Sequence, residues 1–151
     1  MEPSTPALSN IFRATGVGPK ERGRLDATLA RVGQLCEALR LGQEKLDSGD
    51  VLSALRVDFE LHFAREESEE QFGALLRERP SLSHEIAELH REHAALLDEL
   101  DALRTLAADE RRASELDGAL QHLVAEFRIH EHKETDLLQE SILRDDGIGA
   151  D

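Results

Sequence analysis

Tryptophan and tyrosine are absent from this 151-residue chain, cysteine and methionine occur once each, and proline occurs four times. Few prolines and glycines leave little to interrupt helices, and the remaining alphabet, rich in Ala, Leu, Glu and Arg, favours helix almost throughout. The single cysteine, Cys36, excludes an intramolecular disulfide and is compatible with a reducing cytoplasm. Positive charge is scarce too: 18 Lys and Arg stand against 32 Asp and Glu, a formal net charge of −14. Such a balance argues against nucleic acid or an anionic membrane as partner, since both are polyanions. No stretch approaches the roughly 18 apolar residues that cross a bilayer. The opening residues, MEPSTPALSNIF, show no basic segment leading into an apolar run, so no signal peptide is visible and a cytoplasmic location is expected.

What is present is punctuation, and it divides the chain into an arm, one domain and a tail. Residues 1–20 hold three of the four prolines, with Gly16 and Gly18, and read as an irregular N-terminal arm. Residues 21–145 read as one all-α domain, and residues 146–151 as a C-terminal tail. Within the domain the predicted helices run from Glu21 to Leu41, from Asp50 as N-cap to Arg79 before Pro80, from Ser81 or Ser83 to Ala108, and from Ala113 to Leu143. Four helices of comparable length joined by short connections predict an up-down-up-down four-helix bundle.

Each predicted helix carries one apolar stripe at helical spacing. The first reads Leu25, Leu29, Val32, Cys36, Leu39, with Arg22 one step earlier. The second reads Leu52, Leu55, Phe59, His62, Glu66. The third reads Ile86, Leu89, His93, Leu96, Leu100, Leu103, Ala107. The fourth reads Leu116, Leu120, Leu123, Phe127, His130, Glu134, Leu137. Every stripe stays apolar until it meets His, Glu or Arg. A neutral core would place Leu at such positions, because a buried carboxylate must be neutralised, paired or bound to a cation. Measured from the connections near residues 80 and 110, at about 1.5 Å per residue, the two His-x-x-x-Glu pairs and His93 fall within roughly a turn of one level.

Five of the seven histidines have an acid four residues on, so the pairing by itself decides little. Heptad position separates the pairs. His84/Glu88, His122/Glu126 and His132/Asp136 fall on outward positions and read as solvated surface pairs, whereas His62/Glu66 and His130/Glu134 face inward beside large apolar residues. His90 flanks the third stripe and is a second-rank ligand. An i, i+4 spacing puts both donors of a pair on one helix face, a turn apart. Imidazole with carboxylate suits iron, manganese or zinc better than calcium or magnesium. Carboxylates from two helices can each bridge a pair of cations. Cys36, on the apolar stripe, reads as an inert core thiol.

The segments HFAREE (62–67), ELHREHAAL (88–96) and FRIHEHKETDLL (127–138) resemble the second, third and fourth helices of the hemerythrin-like, or HHE cation-binding, domain family. The resemblance spans residues 20–145. It implies a four-helix bundle around a non-haem di-iron centre, held by histidines of all four helices and two bridging carboxylates. On that pattern His62 and Glu66 match the second-helix pair, His93 the third-helix ligand, and His130 and Glu134 the fourth-helix pair. The chain departs from the family at two places. Arg22, in ERGRLDATL, stands where the first helix normally offers a histidine, and a guanidinium has no lone pair for a metal. Leu89 occupies the position at which some members carry a second third-helix histidine, with His90 one residue along.

The resemblance implies a metal-binding protein, holding iron as one or two ions and binding or sensing oxygen, nitric oxide or iron, and it leaves open whether the chain is an enzyme. Its expected partners are the metal and a small diatomic ligand. The acidic surface, with no contiguous apolar patch, predicts a monomer or weak dimer. The alternative is a degenerate, metal-free member, a structural or interaction module in which Arg22 turns inward onto Glu66 or Glu134. A ferritin-like di-iron oxidase needs Glu three residues before His, and no histidine here has it.

Overall fold

The structure, a computed structural model, describes residues 19–43 and 47–145. Residues 1–18 of the N-terminal arm, the middle of the first connector and the C-terminal tail lie outside the described residues, and Pro19 and Lys20, read as the end of the arm, already belong to the first helix. Those described are helix and turn throughout, with no strand. They form α1 (Pro19–Leu41), α2 (Ser48–Glu66), α3 (Phe72–Glu78), α4 (Ser83–Ala107) and α5 (Ala113–Asp145), with 3₁₀ turns at Pro80–Leu82 and Glu110–Arg112. The described part of the chain is all-helical.

Local chemistry sets the helix ends. After Leu41 the chain turns on Gly42, whose φ of +67° is open to glycine at no steric cost. Gln43 N–H donates to the Ala38 carbonyl at 2.8 Å and Gly42 N–H to that of Leu39 at 3.3 Å, which satisfies two carbonyls of the last turn. Asp47, rather than the expected Asp50, caps α2: its Oδ1 accepts from Asp50 N–H at 3.2 Å. No serine side chain caps α4, which grows directly out of the 3₁₀ turn begun by Pro80.

The second helix is shorter than its sequence suggests. The periodicity predicts an unbroken run to Arg79, but the helix ends at Glu66, turns through residues 67–71 and resumes as the short α3. The segment Glu66-Glu67-Ser68-Glu69-Glu70 places four carboxylates where the partial negative charge of a helix C-terminus lies, and Ser68 favours turns. The break lets Phe72 and Leu75 swing against Leu82, Ile86, Leu89 and Leu137 in a cluster of their own.

The four long helices pack in a closed order: α1 against α2 and α5, and α4 against α2 and α5. Every large apolar residue of the four predicted stripes through Leu137 is buried, save Leu39, which is half-buried. The main core runs from Leu35, Val51, Leu52 and Leu120 up to the Phe59–Phe127 stack, with ring centroids 4.8 Å apart. Between this core and the smaller cluster around Phe72 lies a layer of buried polar side chains. The packing thus holds a charged layer between two apolar ones.

Candidate metal centre

Three helices build that layer. The last turn of α2 brings His62 and Glu66, the middle of α4 brings His93, and α5 brings His130 and Glu134; all five side chains are buried. One donor atom from each of Glu66, His93, His130 and Glu134 lies within 4.8 Å of the other three. His93 Nε2 is 3.1 Å from Glu66 Oε1 and 3.3 Å from Glu134 Oε2, and His130 Nε2 is 3.0 Å from the same Glu134 oxygen. His62 Nε2 joins from the other side, 3.1 Å from Glu66 Oε2. Helix periodicity predicted each residue as inward; the tertiary structure brings Glu66, His93, His130 and Glu134 together, while His62, outside that group, stands beside Glu66 of its own helix.

Two carboxylates outside the layer orient the imidazoles. Glu67 Oε2 lies 2.6 Å from His93 Nδ1, and Glu92 Oε1 lies 2.8 Å from His130 Nδ1. A carboxylate at Nδ1 favours the tautomer with the proton there, which leaves the Nε2 lone pair directed into the layer. Glu92 is held in turn by Lys133, 2.6 Å away. Phe63 stacks on His93 with centroids 4.1 Å apart and planes 8° from parallel, which fixes the ring plane. Reading one helix at a time missed Glu67, Glu92 and Lys133, because no single-helix pattern pairs residues across helices. The only trace is that Glu67 and Glu92 each adjoin a stripe ligand.

The layer is short of hydrogen bonds. His62 Nε2, His130 Nε2 and Glu66 Oε1 are buried and have no hydrogen-bond partner, although carboxylate or imidazole atoms stand close by. Close approach without alignment is what donors converging on one point show, and a buried polar atom left unpaired is costly. Burial pushes the His62 imidazole down to about 4, so it is neutral at pH 7. Burial and the charge of Glu134 raise the Glu66 carboxyl well above its usual range. Burial opposes ionisation of Glu134 as well, yet the imidazoles of His130 and His93 beside it hold it at about 2. The two carboxyls are therefore pushed apart, one toward the neutral form and one firmly ionised.

Arg22 is half-buried at the edge of the layer. It hydrogen-bonds Glu131 on α5, and its Nε lies 3.2 Å from Asp26 on its own helix. Neither Glu66 nor Glu134 is its ion-pair partner. His90 is exposed; its ring stacks on Phe72 and stands 6.3 Å from that of His93, and it is outside the four-residue group. The three outward histidines, His84, His122 and His132, are exposed as expected.

Compared with protein-family models, with curated proteins and with solved structures, the chain matches none. The functional reading therefore rests on the residues and their geometry.

Proposed function

We propose that the chain is a hemerythrin-like, up-down-up-down four-helix bundle over residues 21–145 that binds non-haem iron, as one or two ions, for the binding or sensing of oxygen, nitric oxide or iron. His62, Glu66, His93, His130 and Glu134 would hold the metal. His90 would reach it only by leaving its stack on Phe72. The observation that carries this reading is the convergence of four buried donors from three helices within 4.8 Å, where buried Nε2 and Oε1 atoms lack hydrogen-bond partners.

Iron bound there would supply a Lewis-acidic, redox-active centre. The chain's own part is to present it. Glu67 and Glu92 keep the Nε2 atoms of His93 and His130 turned inward, while Phe63 and Phe127 pack against the imidazoles and limit water. Arg22 and Leu89 supply no donor, so solvent or a small diatomic ligand would complete the ligand set. Arg22 lies on Glu131 and Asp26, which leaves the charges of Glu66 and Glu134 to a cation.

One observation favours the metal-free alternative. Protonation of Glu66, together with the imidazoles around ionised Glu134, lets the layer balance its charge from within. Metal analysis of protein purified without chelator or nickel decides. Iron retained by the wild type, lost in His130→Ala and kept in His132→Ala, supports the site. A wild type that takes up no iron even when ferrous ion is supplied anaerobically would leave the structural module.

A further inference from the structure

Away from the core layer, α4 and α5 bring together a second mixed donor set. His122 and Glu126 are one turn apart on α5, with His122 Nε2 2.7 Å from Glu126 Oε1. Glu99 reaches them from α4, and one ligand atom of each of the three residues lies within 4.8 Å of the others. Two outward pairs of the same i, i+4 pattern serve as comparison. His84 and Glu88 make a 3.3 Å ion pair, but neither they nor His132 and Asp136 belong to a group of three close donors among the described residues. The third donor separates His122 from them.

Two further observations point to a ligand here. Glu99 Oε2 is shielded from solvent and has no hydrogen-bond partner, although the residue sits at the rim of the helix pair. Two like carboxylates, Glu99 and Glu126, face each other, and among the described residues no Lys or Arg makes an ion pair with either. The Glu99 carboxyl is raised by burial and by its neighbour Glu126, in keeping with a place that calls for a proton or a cation. A groove of about 170 Å³ runs between the helices, with Glu99 and Glu126 lining it together with Glu92 and His130. Lys133, the lysine on this groove, is taken up by Glu92.

We infer that Glu99, His122 and Glu126 form an outer site for a divalent transition cation, distinct from the core layer and opening on the groove that reaches His130. One imidazole and two carboxylates suit zinc, manganese, cobalt or ferrous ion, whereas magnesium and calcium prefer oxygen donors alone. The half-exposed donors predict weaker binding than in the buried layer. The inference stands on its own residues and does not need the core to bind iron.

Titration of the full chain with Co²⁺ alone, followed by calorimetry and visible absorption, tests it. The wild type should show a Co²⁺-binding step that Glu99→Gln/His122→Gln weakens at least about tenfold, the size of effect expected for loss of metal contacts. These are rim positions, so the double variant should keep the helical spectrum of the wild type. His93→Ala should retain the step, which separates failure at the core from failure here. His84→Gln/Glu88→Gln should also retain it. A double variant that titrates like the wild type, or an equal loss in the His84→Gln/Glu88→Gln control, would overturn the inference, the second by showing only diffuse binding to an acidic surface. Abolition of all Co²⁺ uptake by His93→Ala would overturn it as well.

Discussion

Single residues differ here by what their burial demands. Arg22 is the clearest departure from the hemerythrin-like pattern, and of its partners Glu131 is half-buried and Asp26 exposed. Exposed ion pairs contribute about 1 kcal/mol or less. Arg22→His should therefore change the thermal midpoint little while raising iron occupancy, because a neutral imidazole replaces a cation beside the ligands. A large loss of stability in metal-free protein, with no gain in iron, would instead fit an arginine that serves the structure. Cys36 is read in the sequence as an inert thiol, and burial pushes it up to about 11; Arg40, one turn along, acts in the opposite direction and is outweighed. A raised thiol stabilises the fold below its ordinary value of 9.0, and that contribution is lost as pH climbs through about 11. Iodoacetamide at pH 8 should leave Cys36 unmodified in folded protein and label it quickly in urea. Rapid labelling of the folded protein would contradict its place on the inner face of α1.

At the scale of elements, the helices are joined by polar contacts as well as by apolar ones. Thr28 on α1 donates to Asp58 Oδ2 on α2 at 2.6 Å, and both side chains are buried. Thr28→Val keeps the shape but leaves a buried carboxylate without its donor, which costs about 1–3 kcal/mol. Urea denaturation should show that loss as a lower midpoint at unchanged slope, and an unchanged midpoint would mean that Asp58 finds water instead. The interruption at residues 67–71 has a consequence for the layer. Glu67 N–H still makes the helical bond to the Phe63 carbonyl at 2.9 Å, so the end of α2 itself sets Glu67 beside His93 Nδ1. The turn that follows gives Phe72 a place on the rings of His90 and His93.

For the whole molecule, the charged layer between two apolar clusters ties stability to what occupies it. A ligand that binds only the folded state stabilises it by about 2.7 kcal/mol at a hundredfold excess over Kd. For a chain of this size each kcal/mol moves the thermal midpoint by about 2–4 °C. Anaerobic ferrous ion should thus raise the midpoint by roughly 5–10 °C in the wild type and leave His93→Ala unmoved. Equal shifts in both proteins would place the effect on the acidic surface, which carries the net charge of −14. Among the described residues no helix is long and apolar enough to cross a membrane.

The helical class and the inward faces were readable from the sequence alone, because a 3.6-residue period acts within one helix and needs no knowledge of its neighbours. The stripe residues from Leu25 to Cys36, Leu52 to Glu66, Ile86 to Leu103 and Leu116 to Leu137 all lie buried where their spacing places them. The same period singled out His62, His93 and His130 from the exposed histidines. Contacts between helices depend on rotation and level, which no single stripe encodes. Only the tertiary structure placed Glu67 and Glu92 on the imidazole Nδ1 atoms, turned Arg22 onto Glu131, and set Glu99 beside His122. It also decided where α2 ends, since the propensities of residues 66–71 are divided. The gain from packing Phe72 and Leu75 against the neighbouring helices settles that balance.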